Sequence, residues 1–332
     1  MGEATMRAAW FDVFGTAAEC LRFGEKPKPV AGSGQVLVRV KTSGVNPSDV
    51  KKRAGAFPDL LDDGYVIPHS DGAGVIEAVG DGVPKVRIGE RVWIYQAQYA
   101  RRFGTAAEYV AIEQERAVPL PANSSFELGA CLGIPVMTAH RCVFADGPVT
   151  GKTLLVTGGA GRVGYYAIQW AVQGGARVIA TASNEADRQL CRQLGALDAV
   201  NHREEGWADR VLEVNQGTRV DRVIDVEFGA NLPEVLRLIQ TGGVIATYSS
   251  TQLREPRLPF LQMMFMDLTI RMVIVYAMPE VAKSAAISAI NQSVSADALQ
   301  HRITHELPLE NIVKSHELIE HAGFGGCVVV HI

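Results

Sequence analysis

The 332-residue chain has too few cysteines, in the wrong places, for a metal knuckle or a disulfide framework. Cys20, Cys131, Cys142, Cys191 and Cys327 form no CxxC, and the closest pair, Cys131 and Cys142, is 11 positions apart. An odd number cannot pair completely, so free thiols in a reducing compartment are expected. An excess of one charge is also missing. Lys and Arg total 32 against 36 Asp and Glu, a net charge of −4. Nothing in that balance attracts nucleic acid or an anionic membrane, and no basic stripe with interleaved aromatics occurs. The most apolar stretch, residues 260–278, is interrupted by Asp267 and Arg271, which argues against a membrane-spanning helix. The opening MGEATMRAAWFDVFG has no basic region followed by an apolar run. A secretory leader is therefore not expected, and the expected location is the cytoplasm.

What remains is ordinary globular composition, 47% apolar and 20% charged. At roughly 150 residues per domain, the length suggests two domains. Residues 7–125 carry short apolar runs (VLVRV at 36–40, GVIEAV at 74–79, RVWIY at 91–95, EYVAI at 108–112) punctuated by Gly, Pro, Asp and Asn. This is the pattern of strands and turns in a barrel-like or sandwich-like domain. Near residue 126 the rhythm changes. FELGACLGIPVMTAHRCVF reads as helix, and then strands and helices alternate from TLLVTGG to GVIATYSS. Apolar strands alternating with helices predict a parallel sheet covered on both faces. After MVIVYAM one more helix is expected over PEVAKSAAISAINQSV, and the tail again reads strand, helix, strand.

The sharpest local signal is LLVTGGAGRVGYYAIQ, in which Gly159, Ala160, Gly161, Arg162, Val163 and Gly164 fit GxGxxG. The pattern alone is weak, but here it follows an apolar strand and opens a helix, the context it requires. One glycine permits the tight turn, one lets the backbone approach a pyrophosphate, and one lets helix and strand pack closely. The helix N-terminus then presents N–H groups and partial positive charge to the diphosphate. The following strand ends Thr181-Ala182-Ser183-Asn184, with no carboxylate at its tip and Arg188 shortly after. An NAD binder usually carries Asp or Glu there for the ribose 2′-hydroxyl. A small polar tip with a guanidinium suits a 2′-phosphate, so NADPH is expected. Glu185 and Asp187 lie close by, which keeps NADH and a solvated Arg188 as alternatives.

With a β-rich first part, this nucleotide fold and a returning C-terminal segment, the chain resembles the medium-chain dehydrogenase/reductase superfamily. Within it, the chain looks most like the zinc-independent quinone oxidoreductase (zeta-crystallin-like) branch. The resemblance rests on SGVNPSDVKKRAG (43–55), IPHSDGAGVIEAVGDGV (67–83), VTGGAGRVG (156–164), AVNHREE (199–205) and HAGFGGCVVV (321–330). It implies an α/β chain with a GroES-like β-rich catalytic domain over 1–125, completed by 301–332. A Rossmann doubly wound NADP-binding domain would occupy 126–300.

The resemblance also assigns roles. Zinc-dependent members carry ligands where this chain has Asn46, Ser70 and, near the third position, Ile134; none of these is a zinc donor. The four-cysteine structural lobe would fall in WIYQAQYARRFG, which holds no cysteine. His69 is one position off and lone, while His301 and His305 stand four apart in a strand-like context. No metal is expected. Without a Lewis acid, the acceptor must already be electrophilic enough to take hydride from NADPH. A quinone, or an alkene conjugated to a carbonyl, qualifies.

Asn46 is implied at the cleft beside the nicotinamide, although Asn-Pro-Ser-Asp is also a good turn. Lys51 stands where relatives often have Tyr, so either a cation lies near the reduced oxygen or the lysine is solvated. The implied cofactor-binding set is Thr138, the glycine-rich turn itself, Ser183, Asn184, Arg188, His202, Tyr248, Ser249, Val275 and Phe324. His202 would lie near the adenosine, and Tyr248 and Ser249 near the nicotinamide ribose. Val273 to Val275 would pass the nicotinamide edge and offer a sheet edge for a homodimer, and Phe324 would lie in a closing loop. A 2-enoyl thioester reductase is the competing enzyme. Its tyrosine would fall in Gly55-Ala56-Phe57, and Phe57 donates no proton. A non-catalytic NADPH-binding protein is the third reading.

Overall fold

The computed structural model describes residues 4–321 and 325–332. The chain divides into two compact units, residues 1–134 with 287–332, and residues 135–286.

In the first unit the expected strands form and are joined by others. β1 (Thr5–Trp10) and β2 (Arg22–Pro27) pair as an antiparallel ribbon, with α1 (Ala17–Cys20) between them. The main sheet is centred on β3 (Gln35–Val45), which pairs antiparallel with β4 (Asp71–Val79) and with β6 (Tyr109–Glu113). β5 (Arg91–Ile94) joins β4, and β7 (Ala117–Pro119) joins β5. Val36, Val38 and Val40 of β3 pack with Ile76, Val92, Ile94, Val110 and Ile112 in one core. Fully burying one such side chain contributes about 1.5–3 kcal/mol.

α2 (Pro47–Arg53) follows β3 directly. Asn46 caps it from an extended conformation, Pro47 takes the first helical position, and the Asp49 carboxylate accepts the Asn46 N–H at 2.8 Å. Those are strong start signals. Gly55, at φ +91°, ends it in a left-handed turn.

The segment 126–144 departs from the single helix its sequence suggests. α3 (Phe126–Gly129) is followed by a wide turn at Leu132–Val136 before α4 (Met137–Phe144) begins. Pro135 sits inside the turn and lacks the N–H a helix interior needs. A Cβ on Gly133 would lie 2.1 Å from Asp71 Oδ1, so the backbone passes close against a buried carboxylate.

The second unit is the alternating α/β region. Six parallel strands run in the order β10-β9-β8-β11-β12-β13. β8 is Thr153–Val156, β9 Arg177–Thr181 and β10 Asp198–Val200; β11 is Val220–Asp225, β12 Ile239–Thr247 and β13 Thr269–Met272. Leu154, Leu155, Ile179, Val223 and Ile245 are wholly buried, as a sheet covered on both faces requires. The covering helices are α5 (Arg162–Gln173), α6 (Glu185–Gln193), α7 (Trp207–Val214), α8 (Phe228–Leu238) and α9 (Phe260–Phe265). The sequence pattern predicts no element over the α7 segment. It packs through Trp207, Ala208 and Val211 against β10 and α8.

Residues 273–275 do not extend the sheet edge as expected. β13 ends at Met272, Val273 N–H makes a last bond to Thr247 O at 2.7 Å, and Val275–Ala277 form a 3₁₀ turn with Val275 buried. The edge strand is Thr269–Met272 instead.

α10 (Glu280–Ser295) spans the boundary at which the chain re-enters the first unit. There β14 (Ile303–Pro308), α11 (Ile312–Glu320) and β15 (Cys327–His331) complete it. β15 pairs antiparallel with β3 from Val328↔Val45 to His331↔Thr42. Among the described residues, no helix is long and apolar enough to cross a membrane.

Candidate functional site

In the second unit, β9 and β11 flank β8 on opposite sides, so the strand order reverses at the C-terminal end of β8. Open α/β sheets bind ligands at such a point, and the glycine-rich turn stands there. Gly158 has φ +59°, which L side chains rarely adopt, and its N–H donates to Thr181 Oγ1 at 3.1 Å. Gly159 N–H donates to Thr181 O at 2.8 Å. A Cβ on Gly159 would come within 2.9 Å of Ala180, Cys191 and Ile168, and one on Gly164 within 2.3 Å of Gly158 O. These two glycines seat α5 against the sheet. Gly161 caps α5, and a Cβ there would meet only Gly158 O, at 3.1 Å. The crowding fits a dinucleotide turn, with backbone exposed where a diphosphate approaches and packed elsewhere.

Ser183 and Asn184 lie at the β9 tip, where Asn184 Oδ1 caps α6 by accepting Asp187 N–H at 2.9 Å. Arg188 is paired with Glu185 at 2.6 Å and lines a cavity of about 280 Å³ with Asn201 and Arg210. His202 is exposed just beyond β10, and Thr138 is buried on α4. Tyr248 and Ser249 follow β12 and line a cavity of about 380 Å³ together with Phe228, Arg254, Met272 and Val273. Beneath the turn, Asp225 is buried and accepts from Thr157 Oγ1 at 2.7 Å and Asn231 Nδ2 at 2.8 Å. Burial raises its pKa. Phe324 lies outside the described residues.

In the first unit, the sequence-predicted Asn46 belongs to a buried polar network. Its Nδ2 donates to Asp71 Oδ2 at 2.8 Å, and Ile134 N–H donates to the same oxygen at 2.8 Å. Of the three positions compared with zinc ligands, Asn46 and Ile134 thus converge on Asp71, and Ser70 precedes it in the chain. Desolvation pushes the Asp71 carboxyl well above the usual range. Lys51 is exposed. The lysine of α2 that turns inward is its neighbour, Lys52, whose Nζ donates to Gln98 O at 2.5 Å and lies 3.4 Å from Ser70 Oγ. No sequence signal separated the two, because α2 is short and charged along its last turn.

His69 is not a lone histidine. It sits at φ +77°, and its ring stacks on that of His316 with Nε2 atoms 3.1 Å apart. Its Nδ1 is 2.8 Å from Ser43 Oγ, which is 2.7 Å from Thr105 Oγ1. The protons in this chain follow from its far end. Thr105 donates to Asp71 O at 2.6 Å, so Ser43 donates to Thr105. His69 Nδ1–H then donates to Ser43, and His69 Nε2 accepts from His316 Nε2–H. His316 Nδ1 is left as a buried lone pair with no partner among the described residues. Both rings are neutral because burial lowers their pKa values, that of His69 to about 3. Among the described residues, one three-ligand cluster occurs, Glu127, Glu306 and His331, with His331 Nε2 2.7 Å from Glu306. It includes none of the network's residues.

The sequence and the fold are similar to those of known proteins. Residues 163–292 match the zinc-binding dehydrogenase family model, and residues 32–122 match the alcohol dehydrogenase GroES-like domain. The chain is 30% identical to quinone oxidoreductase of Rattus norvegicus over 97% of this chain and 96% of that one. The solved quinone oxidoreductase of Coxiella burnetii is 26% identical, with a TM-score of 0.84 over 99% of this chain and 100% of that one. A mycobacterial protein solved in complex with NADPH is 25% identical, with a TM-score of 0.87 over 98% of this chain and 100% of that one.

Proposed function

The chain belongs to the quinone oxidoreductase branch of the medium-chain dehydrogenase/reductase superfamily, and from that membership we propose that it reduces quinones or similar conjugated carbonyls with NADPH. The observation that carries this reading is the glycine-rich turn at the switch point of the parallel sheet, where Gly159 and Gly164 admit no side chain. When bound, the dinucleotide supplies the hydride. Gly161 and the first turn of α5 would hold the diphosphate. Ser183, Asn184 and Arg188 support recognition of a 2′-phosphate, with Glu185 sharing its charge between Arg188 and Arg192. Thr138, His202, Tyr248, Ser249 and Val275 remain the proposed contacts along the rest of the cofactor. Asn46 is the proposed contact to the acceptor. The reaction is proposed to need no metal, because an amide, a hydroxyl and an aliphatic side chain stand at the ligand positions.

Anaerobic stopped-flow with a small quinone panel tests all three points together. NADPH oxidation should be fast. NADH should show a KM about tenfold higher or more, the worth of one charge-assisted phosphate contact. A chelator should change nothing. Cofactor quenching without turnover would leave a binding protein, and turnover of crotonyl thioesters with quinones ignored would make it an enoyl reductase. Activity lost to the chelator and restored by zinc would overturn the metal-free assignment.

We further propose that the active form is a cytoplasmic homodimer. β13 ends the parallel sheet, and Met272, Ile274, Phe260 and Phe265 are exposed on it or near it in sequence. An unpaired edge beside exposed apolar side chains suits a second copy of the same strand. Sedimentation should give a dimer that Met272→Asp with Phe265→Glu converts to a folded monomer. A wild-type monomer at micromolar concentration would refute this.

A further inference from the structure

The cavity of about 380 Å³ in the second unit lies at the carboxyl ends of β12 and β13, the edge along which open parallel sheets receive ligands. Thr247, Tyr248 and Ser249 line its strand-tip side. The rest of its wall is apolar, with Phe228, Pro256, Leu258, Met272 and Ile274. Such side chains suit an aromatic ring or a conjugated alkene better than ribose hydroxyls. Among the described residues, Arg254 is the one charged side chain on this lining, and it makes no hydrogen bond or ion pair. Glu255, next in sequence, is not on the lining. Glu227 is committed elsewhere: its carboxylate accepts Thr251 N–H and Gln252 N–H, each at 2.9 Å. Ser250 Oγ accepts Gly229 N–H at 2.9 Å, and Ser249 O accepts Phe228 N–H at 3.0 Å. These four bonds pin the loop after β12 to the start of α8. A Cβ on Gly229 would lie 2.1 Å from Leu253 O, so the loop packs directly on that helix. The backbone that carries Arg254 is therefore set before any ligand arrives.

We propose that this cavity takes the acceptor, and that Arg254 selects acceptors whose aromatic or conjugated body carries a carboxylate or sulfonate. This rests on the reductase reading above and names its substrate class. A planar guanidinium pairs such a group through two parallel N–H bonds, while the apolar side chains take the body of the molecule. An uncharged acceptor enters the same cavity and gains nothing from Arg254.

Two measurements decide it. The first needs no turnover. Naphthalene-2-sulfonate and naphthalene-2-methanol share a ring system and differ in charge, and neither accepts hydride. In calorimetric titrations with and without saturating NADP⁺, the wild type should bind the sulfonate about fivefold more tightly at low salt, the worth of one exposed ion pair. The preference should shrink as ionic strength rises and vanish in Arg254→Gln. Arg254→Lys should keep part of it, because the charge stays while the fork is lost. Arg254 is exposed, so neither substitution disturbs the core. The second is turnover with NADPH. The ratio of kcat/KM for a sulfonated naphthoquinone over its uncharged parent should fall about fivefold from wild type to Arg254→Gln. Taking the ratio within each protein cancels the different reactivities of the two quinones. Equal affinities in the wild type, or a preference that survives in Arg254→Gln, would overturn the inference. Release of the sulfonate by NADP⁺ would do the same, by making the cavity the cofactor's. Failure of the wild type to reduce any quinone would instead sink the reductase reading, and the two naphthalenes would still report on Arg254.

Discussion

Gly161→Val is expected to abolish dinucleotide binding while the protein stays folded. The two properties separate because the three glycines of the turn meet different surroundings. Gly161 has φ −73° and ψ 170°, an extended conformation open to any residue, and its Cβ would touch only Gly158 O. A valine can therefore be accommodated by a small shift of one carbonyl. Its branched side chain would nonetheless stand at the N-terminus of α5, where a diphosphate must approach the backbone. An affinity loss of about 100-fold or more, close to 3 kcal/mol, is expected in a fluorescence titration with NADPH. Gly164→Ala should behave in the opposite sense. Its methyl would lie 2.3 Å from Gly158 O and 2.9 Å from Gly159 Cα, so α5 must lift from the sheet, at about 1–3 kcal/mol of stability or more. Scanning calorimetry would register that loss directly. An unchanged NADPH affinity in folded Gly161→Val would mean that the turn only packs a helix and holds no nucleotide.

Those glycines were legible in the sequence because their roles depend on local chain geometry, which a short motif encodes. The strands of both units were legible for the same reason, through apolar periodicity and turn residues. What escaped was set by contacts between distant segments. Lys51 and Lys52 are equivalent in local composition, and only the packing of α2 against Ser70 and Gln98 turns one inward. His69 looked isolated because its partner, His316, is 247 positions away. The helix expected over 126–144 breaks because Gly133 must pass Asp71, a constraint that no local window contains. The α7 segment follows NHREEG, whose polar loop character masked the short apolar stripe after it. At the sheet edge, VIV reads as strand by propensity, yet the chain turns once its last ladder bond, from Val273 to Thr247, is made.

The buried histidines carry the second large expectation, a loss of stability in mild acid. His69 is held at about 3, His140 and His301 at about 4, and His316 well below its ordinary value, in each case chiefly by burial. In the unfolded chain each titrates near ~6.5. Between those values the unfolded state binds more protons than the folded one, so stability falls as pH falls. Each imidazole contributes in full above ~6.5 and loses about 1.4 kcal/mol per pH unit below it. Asp71 and Asp225 act in the opposite direction, because burial raises them and the folded state holds their protons more tightly. Desolvation lowers His202 as well, so the imidazoles outnumber the two carboxyls and stability should fall by on the order of 1 kcal/mol or more per pH unit below ~6.5. A stability of ~5–15 kcal/mol would be eroded within a few units. Denaturant unfolding at pH 7, 6 and 5 should show that slope. His69→Gly should flatten it by about one proton, because the φ of +77° suits glycine and one titrating ring is gone. A stability independent of pH across this range would mean that the histidine pair is already charged at neutral pH, and that the proton order from Thr105 through Ser43 and His69 to His316 is wrong.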